Sequence, residues 1–484
     1  MRKRFEQQTS LNFVPIADLQ LNIKNRDAAS KIGFGLLALY KEPTFNEALF
    51  EILERYLTQG KQKTGRPGMD LWQIFVMAQY RLGLNLSYDR LHYMCLYDTV
   101  LRTLLGIESS QFNSERFEFE YQTILDNVSL LSDELLKEIN NLVVDFGHGV
   151  FKKKETESSS LKTDSFVVES NVHFPTDYNI LWDSLRKCLD MVAKIVTKYP
   201  QITGWRKMGF WRKTFKNGSR QIGQVSRRGG KNKEENLQKE VLSYTEKATE
   251  FLVKLTASIP DFPMETQADL SNRIALETYT GFALKFKDLL ERRVLKGELI
   301  QHEEKVFSIF ETYTEWVNKG KRNPSVELGK KLAITTDEFN LIIDYRIMEK
   351  QTDSELVLDI AFDVLRNHKV KSWSFDKGYW HPINKELLQE SVELVVMPKK
   401  GKCTKAENEE EHRPAFKKLR NKHSAVESNI NELEHRGLNR CPDKGYAHFK
   451  RYIGLGICAY NLHKIGARIR EEELEKARKH QRAA

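Results

Sequence analysis

Residues 371–400, KSWSFDKGYWHPINKELLQESVELVVMPKK, decide how the rest of the chain is read. Residues 370–375 form a short run rich in β-branched and aromatic side chains, and one carboxylate, Asp376, stands at its end. Gly378 then breaks the strand, Pro382 opens a helix over 383–389, and a second apolar run, 392–397, is halted by Pro398. Strand, acid, helix and strand in so short a space read as a βαβ-like unit. An acid at the carboxyl end of a buried strand in an α/β sheet faces the crevice where ligands bind. Function therefore turns on which other acids meet Asp376 there.

Downstream of this unit, the acidic run 406–412 leads to an expected helix over 415–434 that carries Glu427. A helix over 446–469 follows, and the charged tail 470–484 reads as helical and solvated. Upstream lies an expected helix over 354–366, preceded by a hairpin of two strands, 328–335 and 341–348, joined by turn-forming residues. Further upstream, residues 180–325 read as helical, with helices expected over 181–198, 234–257, 267–294 and 299–318. Before them, 161–175 holds the first convincing strand, with Asp164 at its start, and Asp177 is placed to cap the next helix. With the helical stretch set aside, the order is strand with Asp164, hairpin, helix, strand with Asp376, helix, strand, helix with Glu427. That is the order of a ribonuclease-H-like α/β domain, in which the first and fourth strands lie side by side.

The expected fold class is therefore α/β: a ribonuclease-H-like core with a helical insertion between its first two strands, preceded by an all-α N-terminal domain. The expected boundaries are 1–150 for the N-terminal helices, 151–179 for the first strand, 180–325 for the insertion, 326–469 for the remainder of the core and 470–484 for the tail. Residues 152–160 are serine-rich and charged, and read as a linker. A chain of 484 residues fits two or three such units.

The formal charge of +10 favours a polyanionic partner. Five scattered cysteines without a CxxC pair suit a reducing compartment, and Cys403 with His412 and His423 matches no zinc-ligand spacing. No apolar run approaches membrane-spanning length, so the expected setting is the cytoplasm or nucleoid, with no membrane partner. Two stretches suit DNA. In the N-terminal part, helices over 71–82 and 88–105, the second capped by Ser87, resemble a helix-turn-helix pair beside the basic arm GKQKTGRPG with Lys63 and Arg66. Residues 204–233 hold ten Lys or Arg, no Asp or Glu, and several aromatics. There Arg206, Lys207, Arg212, Lys213, Lys216, Arg227 and Arg228 would neutralise phosphates while Trp205 and Trp211 stack on bases.

Three converging carboxylates repel one another unless a cation neutralises them. Hard oxygen ligands select Mg²⁺, with Mn²⁺ as a substitute, and such ions promote phosphodiester hydrolysis and transfer. Neither a Ser–His or Cys–His pairing nor a phosphate-cradling GxxxxGK[ST] loop competes. Residue by residue, Glu169 or Asp177 remains an alternative to Asp164, and Glu432 or Glu434 to Glu427.

Three blocks, KTDSFVVESNVHFPTD, SFDKGYWHPINKELL with VELVVMPKKGK, and HSAVESNINELEHRGLNRCPDKGYAHFKRYIGLGICAYNLHKIG, resemble the signature regions of DDE-class insertion-sequence transposases, specifically the ISNCY-type group. GRPGMDLWQIFVMAQYRLGLNLSYDRLHYM extends the likeness towards the N-terminus. The resemblance implies that Asp164, Asp376 and Glu427 form a catalytic, metal-binding triad. It implies binding of double-stranded DNA at terminal inverted repeats, hydrolytic nicking, attack of the freed 3′-hydroxyl on target DNA, and a homodimer on DNA. Related enzymes carry Tyr-x₂-Arg-x₃-Glu-x₆-Lys around the last acid; here those positions are Arg420, His423, Glu427 and Glu434. The tyrosine and lysine are absent, and Arg420 and His423 become the expected phosphate contacts. Two rivals are a metal-dependent nuclease that never joins ends and a catalytically silent DNA-binding regulator.

Overall fold

The computed structural model describes residues 2–5, 14–60, 68–107, 118–154, 156–228, 230–318 and 325–483. The chain divides into two compact units, one of residues 1–171 and 317–484 and the other of 172–316.

The first unit opens with helices α1 (Ala28–Lys41), α2 (Pro43–Leu57), α3 (Leu71–Gly83), α4 (Tyr88–Tyr97), α5 (Thr99–Leu104), α6 (Tyr121–Val128) and α7 (Asp133–Val150). The single helix expected over 88–105 is two. Asp98 accepts a hydrogen bond from Leu101 N at 2.8 Å and so caps α5 where α4 ends. Strand β1 (Ser159–Ser170) follows, and its first two residues come from the stretch read as a linker.

The second unit is built on α8 (Asp177–Lys198), α9 (Met208–Arg227), α10 (Lys233–Ser258) and α11 (Gln267–Val294). The expected helix over 299–318 does not form. Gly297, at φ 67°, ends the α11 segment, and Arg292 holds Glu298 at 2.6 Å and Glu304 at 2.7 Å. The chain then runs into β2 (Glu315–Asn318), as the β-forming TYTEWV sequence favours.

In the first unit the chain resumes with β3 (Val326–Thr336), β4 (Ile342–Ile347), α12 (Asp353–Asn367), β5 (Val370–Phe375), α13 (Pro382–Gln389) and β6 (Leu394–Val396). It ends with α14 (Lys405–His412), α15 (Pro414–Leu433), β7 (Arg440–Cys441) and α16 (Tyr446–Ala483). Among the described residues the sheet has seven strands, in the order β2-β3-β1-β5-β6, with β4 beside β3 and β7 beside β1. β1 is antiparallel to β3, β3 to β4, and β5 is parallel to both β1 and β6. The hairpin and the β1–β5 neighbourhood are those the sequence pattern leads one to expect.

The N-terminal helices do not form a compact unit of their own. α16 is buried over most of residues 449–466, and α1, α3 and α7 pack around it. A Cβ on Gly466 would fall 1.8 Å from the carbonyl oxygen of Lys31, so α1 and α16 cross with their backbones in contact. Two buried asparagines tie α7 and α16 to the sheet. Asn461 Oδ1 accepts from Ile342 N at 2.8 Å, while Asn461 Nδ2 and Asn140 Nδ2 donate to Ile342 O at 2.9 and 3.0 Å. Buried amide groups must be partnered, and these asparagines partner both backbone groups of Ile342.

Candidate active site

The site is set by register. β1 and β5 run parallel with Leu161 opposite Trp373, Lys162 opposite Ser374 and Thr163 opposite Phe375. One residue further, the same register places Asp164 opposite Asp376, on strands about 4.8 Å apart. Side chains alternate between faces, so these two acids share the face opposite Thr163 and Phe375. On the Thr163 face, Trp373 Nε1 donates to Thr163 Oγ1 at 2.8 Å, and Trp373 and Phe375 join a core with Leu356 and Ile360 of α12. Asp164 stands in the middle of β1 rather than at its start, because the strand begins at Ser159. Asp376 caps a single 3₁₀ turn just after β5, its carboxylate accepting from Gly378 N at 3.5 Å.

The third acid arrives on α15, which buries Phe416, Leu419, Val426 and Leu433 and packs against β1, β5 and β6. His423 is fixed inward on this helix, its Nδ1 3.0 Å from Ser374 Oγ. Glu427 follows one turn later and is exposed.

The Asp164 carboxyl is pushed up to about 7, first by burial; the Ser165 N–H, donating at 2.7 Å, opposes this, and the charges of Asp376, Asp353 and Glu427 add to it. The nearby cations are engaged elsewhere. Lys331 pairs with Asp353 at 2.6 Å, and the buried Lys162 Nζ donates to Asp337 O at 2.9 Å. Among the described residues no three His, Cys, Asp or Glu side chains form a ready-made coordination shell. Coulombic coupling reaches beyond ligand distance, so the acids share a neighbourhood rather than a finished cage. A buried acid that other acids push the same way could take a hard divalent ion, whose charge would offset theirs.

Asp353, on the first turn of α12, was not anticipated. It accepts from Ser165 Oγ at 2.8 Å as well as from Lys331, so it braces β1 and β3. The Thr352–Glu355 capping box that opens this helix was the visible signal. Of the alternative acids, Asp177 lies in the second unit, ion-paired with Arg293. Glu432 is held by Lys464 at 2.6 Å and by Arg436 at 3.0 Å. Glu169 lies five residues beyond Asp164, opposite Gly329 of β3.

The residues expected to meet DNA separate into three groups. Lys63 and Arg66 lie outside the described residues. Arg206, Lys207, Arg212, Lys213, Lys216, Arg227 and Arg228 are exposed, although Arg212 is ion-paired with Asp190. The stacking role given to Trp205 and Trp211 is corrected: they are only 4% and 7% exposed. Most of the basic stretch 204–233 is the helix α9. Trp211, Phe215, Ser219 and Ile222 recur at helical spacing and face the core, where Trp211 packs on Phe215 and Phe251, each with ring centroids 5.6 Å apart. Trp211→Ala is accordingly expected to cost about 3–5 kcal/mol of stability, measured by denaturant unfolding, with DNA affinity preserved in the protein that remains folded.

The expected phosphate contact by His423 is also corrected. Its Nε2 is buried with no hydrogen-bond partner among the described residues, and burial lowers its pKa to about 4, so the ring is neutral and turned inward. Arg420 is exposed, 3.7 Å from Glu411. In the helix pair likened to a DNA reader, Ser87 Oγ does accept from Arg90 N at 3.2 Å, but α3 is buried along its length except at Gln73. Of the two, only α4 shows solvent a face, with Arg90, Tyr93 and Tyr97. Among the described residues no helix is long and apolar enough to cross a membrane.

Residues 297–462 match the family model of the transposase DDE domain, a span that contains Asp376 and Glu427 and begins after Asp164. No curated protein and no solved structure matches the chain.

Proposed function

We propose, from the match of residues 297–462 to the transposase DDE domain, that the chain is a DNA transposase of the ISNCY type with a ribonuclease-H-like core. It binds terminal inverted repeats, nicks the DNA at the element's ends and joins the freed 3′-hydroxyl to target DNA. What supports this reading is the parallel β1–β5 register, with Asp164 on β1 and Asp376 directly after β5, together with α15, which carries Glu427 and packs against both strands.

In this reading Asp164, Asp376 and Glu427 hold Mg²⁺, or Mn²⁺ in its place. A divalent ion held there would supply Lewis-acid activation of a water or 3′-hydroxyl and charge stabilisation of the departing oxygen. The chain's own residues supply position and charge. β1 and β5 set two carboxylates in register, and α15, packed on both strands, carries the third. The exposed cations of α9 neutralise backbone phosphates, and two copies act together on paired ends, at the nucleoid.

The test supplies pre-cut ends bearing 3′-hydroxyls, a supercoiled target and Mn²⁺. Joined products are expected. Nicking of uncut ends without joining of pre-cut ones rejects the transposase in favour of a nuclease, and no metal-dependent reaction of either kind leaves a DNA-binding regulator.

A further inference from the structure

We propose that His423 is a positioning residue that, through Ser374, locks the three acid-bearing elements into one site. The proposal rests on the functional reading above and assigns His423 a task in it. Ser374 precedes Asp376 by two residues on β5, so their side chains share a face. Its hydroxyl lies 3.0 Å from His423 Nδ1 and 3.4 Å from Leu161 O. Leu161 is on β1, three residues before Asp164, and His423 is on α15, one turn before Glu427. The chain of hydrogen bonds, His423 Nδ1–H to Ser374 Oγ and Ser374 O–H to Leu161 O, therefore touches each of the three elements that carry an acid.

Direction follows from the partners. A carbonyl oxygen only accepts, so the Ser374 proton points to Leu161 and the imidazole proton sits on Nδ1. Ser374 and Leu161 are backbone neighbours in the sheet; His423 is the member that brings α15 into line. Its ring is buried and neutral, with Asp376 and Lys162 the charges that act on it. Without this strut, α15 would still pack by Val426 and Leu433, but the turn bearing Glu427 would lose its polar fixed point against β5. Groups that orient metal-binding side chains from behind typically alter metal affinity more than they alter folding.

The experiment titrates the full-length protein with Mn²⁺, following free Mn²⁺ by its paramagnetic resonance signal, with thermal melts in parallel. The proteins are wild type, Asp376→Asn, Ser374→Ala, His423→Leu and His423→Asn. Ser374→Ala and His423→Leu are each expected to weaken Mn²⁺ binding by about 10–100-fold. The double variant should be no worse than the weaker single one, because both break the same strut. His423→Asn, whose amide can donate near the Nδ1 position, should recover most of the affinity. Wild-type affinity in Ser374→Ala and His423→Leu, with affinity lost in Asp376→Asn, overturns the positioning role and leaves the site standing. Unchanged affinity in Asp376→Asn overturns the site itself, and this proposal with it. Should His423→Leu fail to fold, Ser374→Ala decides.

Discussion

Asp376→Asn is expected to abolish DNA cleavage while leaving DNA binding in place. The expected loss exceeds about 10³-fold, the scale on which removing one transition-state stabiliser is felt. Glu427→Gln and Asp164→Asn should behave alike, since in the proposed site each removes one of three oxygen donors. The check is a cleavage assay on end-containing DNA with Mg²⁺, run beside a binding titration. Cleavage near the wild-type rate in any one variant removes that residue from the site. Stability adds a second signature. The Asp164 carboxyl is raised in the folded state, mainly by burial, so its ionisation opposes folding. That penalty is absent below the unfolded carboxylate range and grows as pH rises towards about 7. Asp164→Asn escapes it, and in metal-free buffer at neutral pH its melting temperature should rise while cleavage disappears. Gain of stability with loss of activity marks a site held together against its own charge.

Replacing Lys213, Lys216, Arg220 and Arg227 together by Gln should weaken DNA binding by about 10³-fold at 0.1 M salt. The four side chains recur at helical intervals along the exposed side of α9. Each phosphate neutralised contributes about 0.9 to the slope of log affinity against log salt, so the slope should fall in magnitude by about 3–4. Binding measured across a salt series tests this directly, and an unchanged slope would mean that α9 does not lie along the phosphates. The apolar side of α9 is untouched by these changes, so the fold should survive.

Much of the site's scaffold was legible because its signals are local. β5 ends in a glycine- and proline-marked turn, so the position of Asp376 at a strand's end could be read from the letters. α11 was bounded as it stands because Thr266 and Asp269 form a capping box and two arginines close its last turn. Other features were hidden where one residue type serves two ends. Trp205 and Trp211 lie among cations, and that composition suggests a nucleic-acid surface; the four-residue step from Trp211 to Phe215 and on to Ser219 instead marks a buried stripe. His423 sits in a basic segment and turns inward because Ser374 awaits it, a partner 49 residues away that no local pattern discloses. Asp353 reads as an ordinary first-turn acid until Lys331 and Ser165 are found against it. The dependence of the N-terminal helices on α16 was illegible for the same reason. The GLGICAYNLHKIG run is apolar on all sides, which says that it is covered but not by what.

That dependence has a consequence for how the protein comes into being. α1, α3 and α7 leave the ribosome early, yet α16, which packs on all three, is made after them. Until then the sides they turn to α16 have no lasting cover, and β1 waits through the whole second unit for β5. Contacts so distant along the chain form slowly. A site built from β1, β5 and α15 therefore cannot assemble on a nascent polypeptide before α15 has been made.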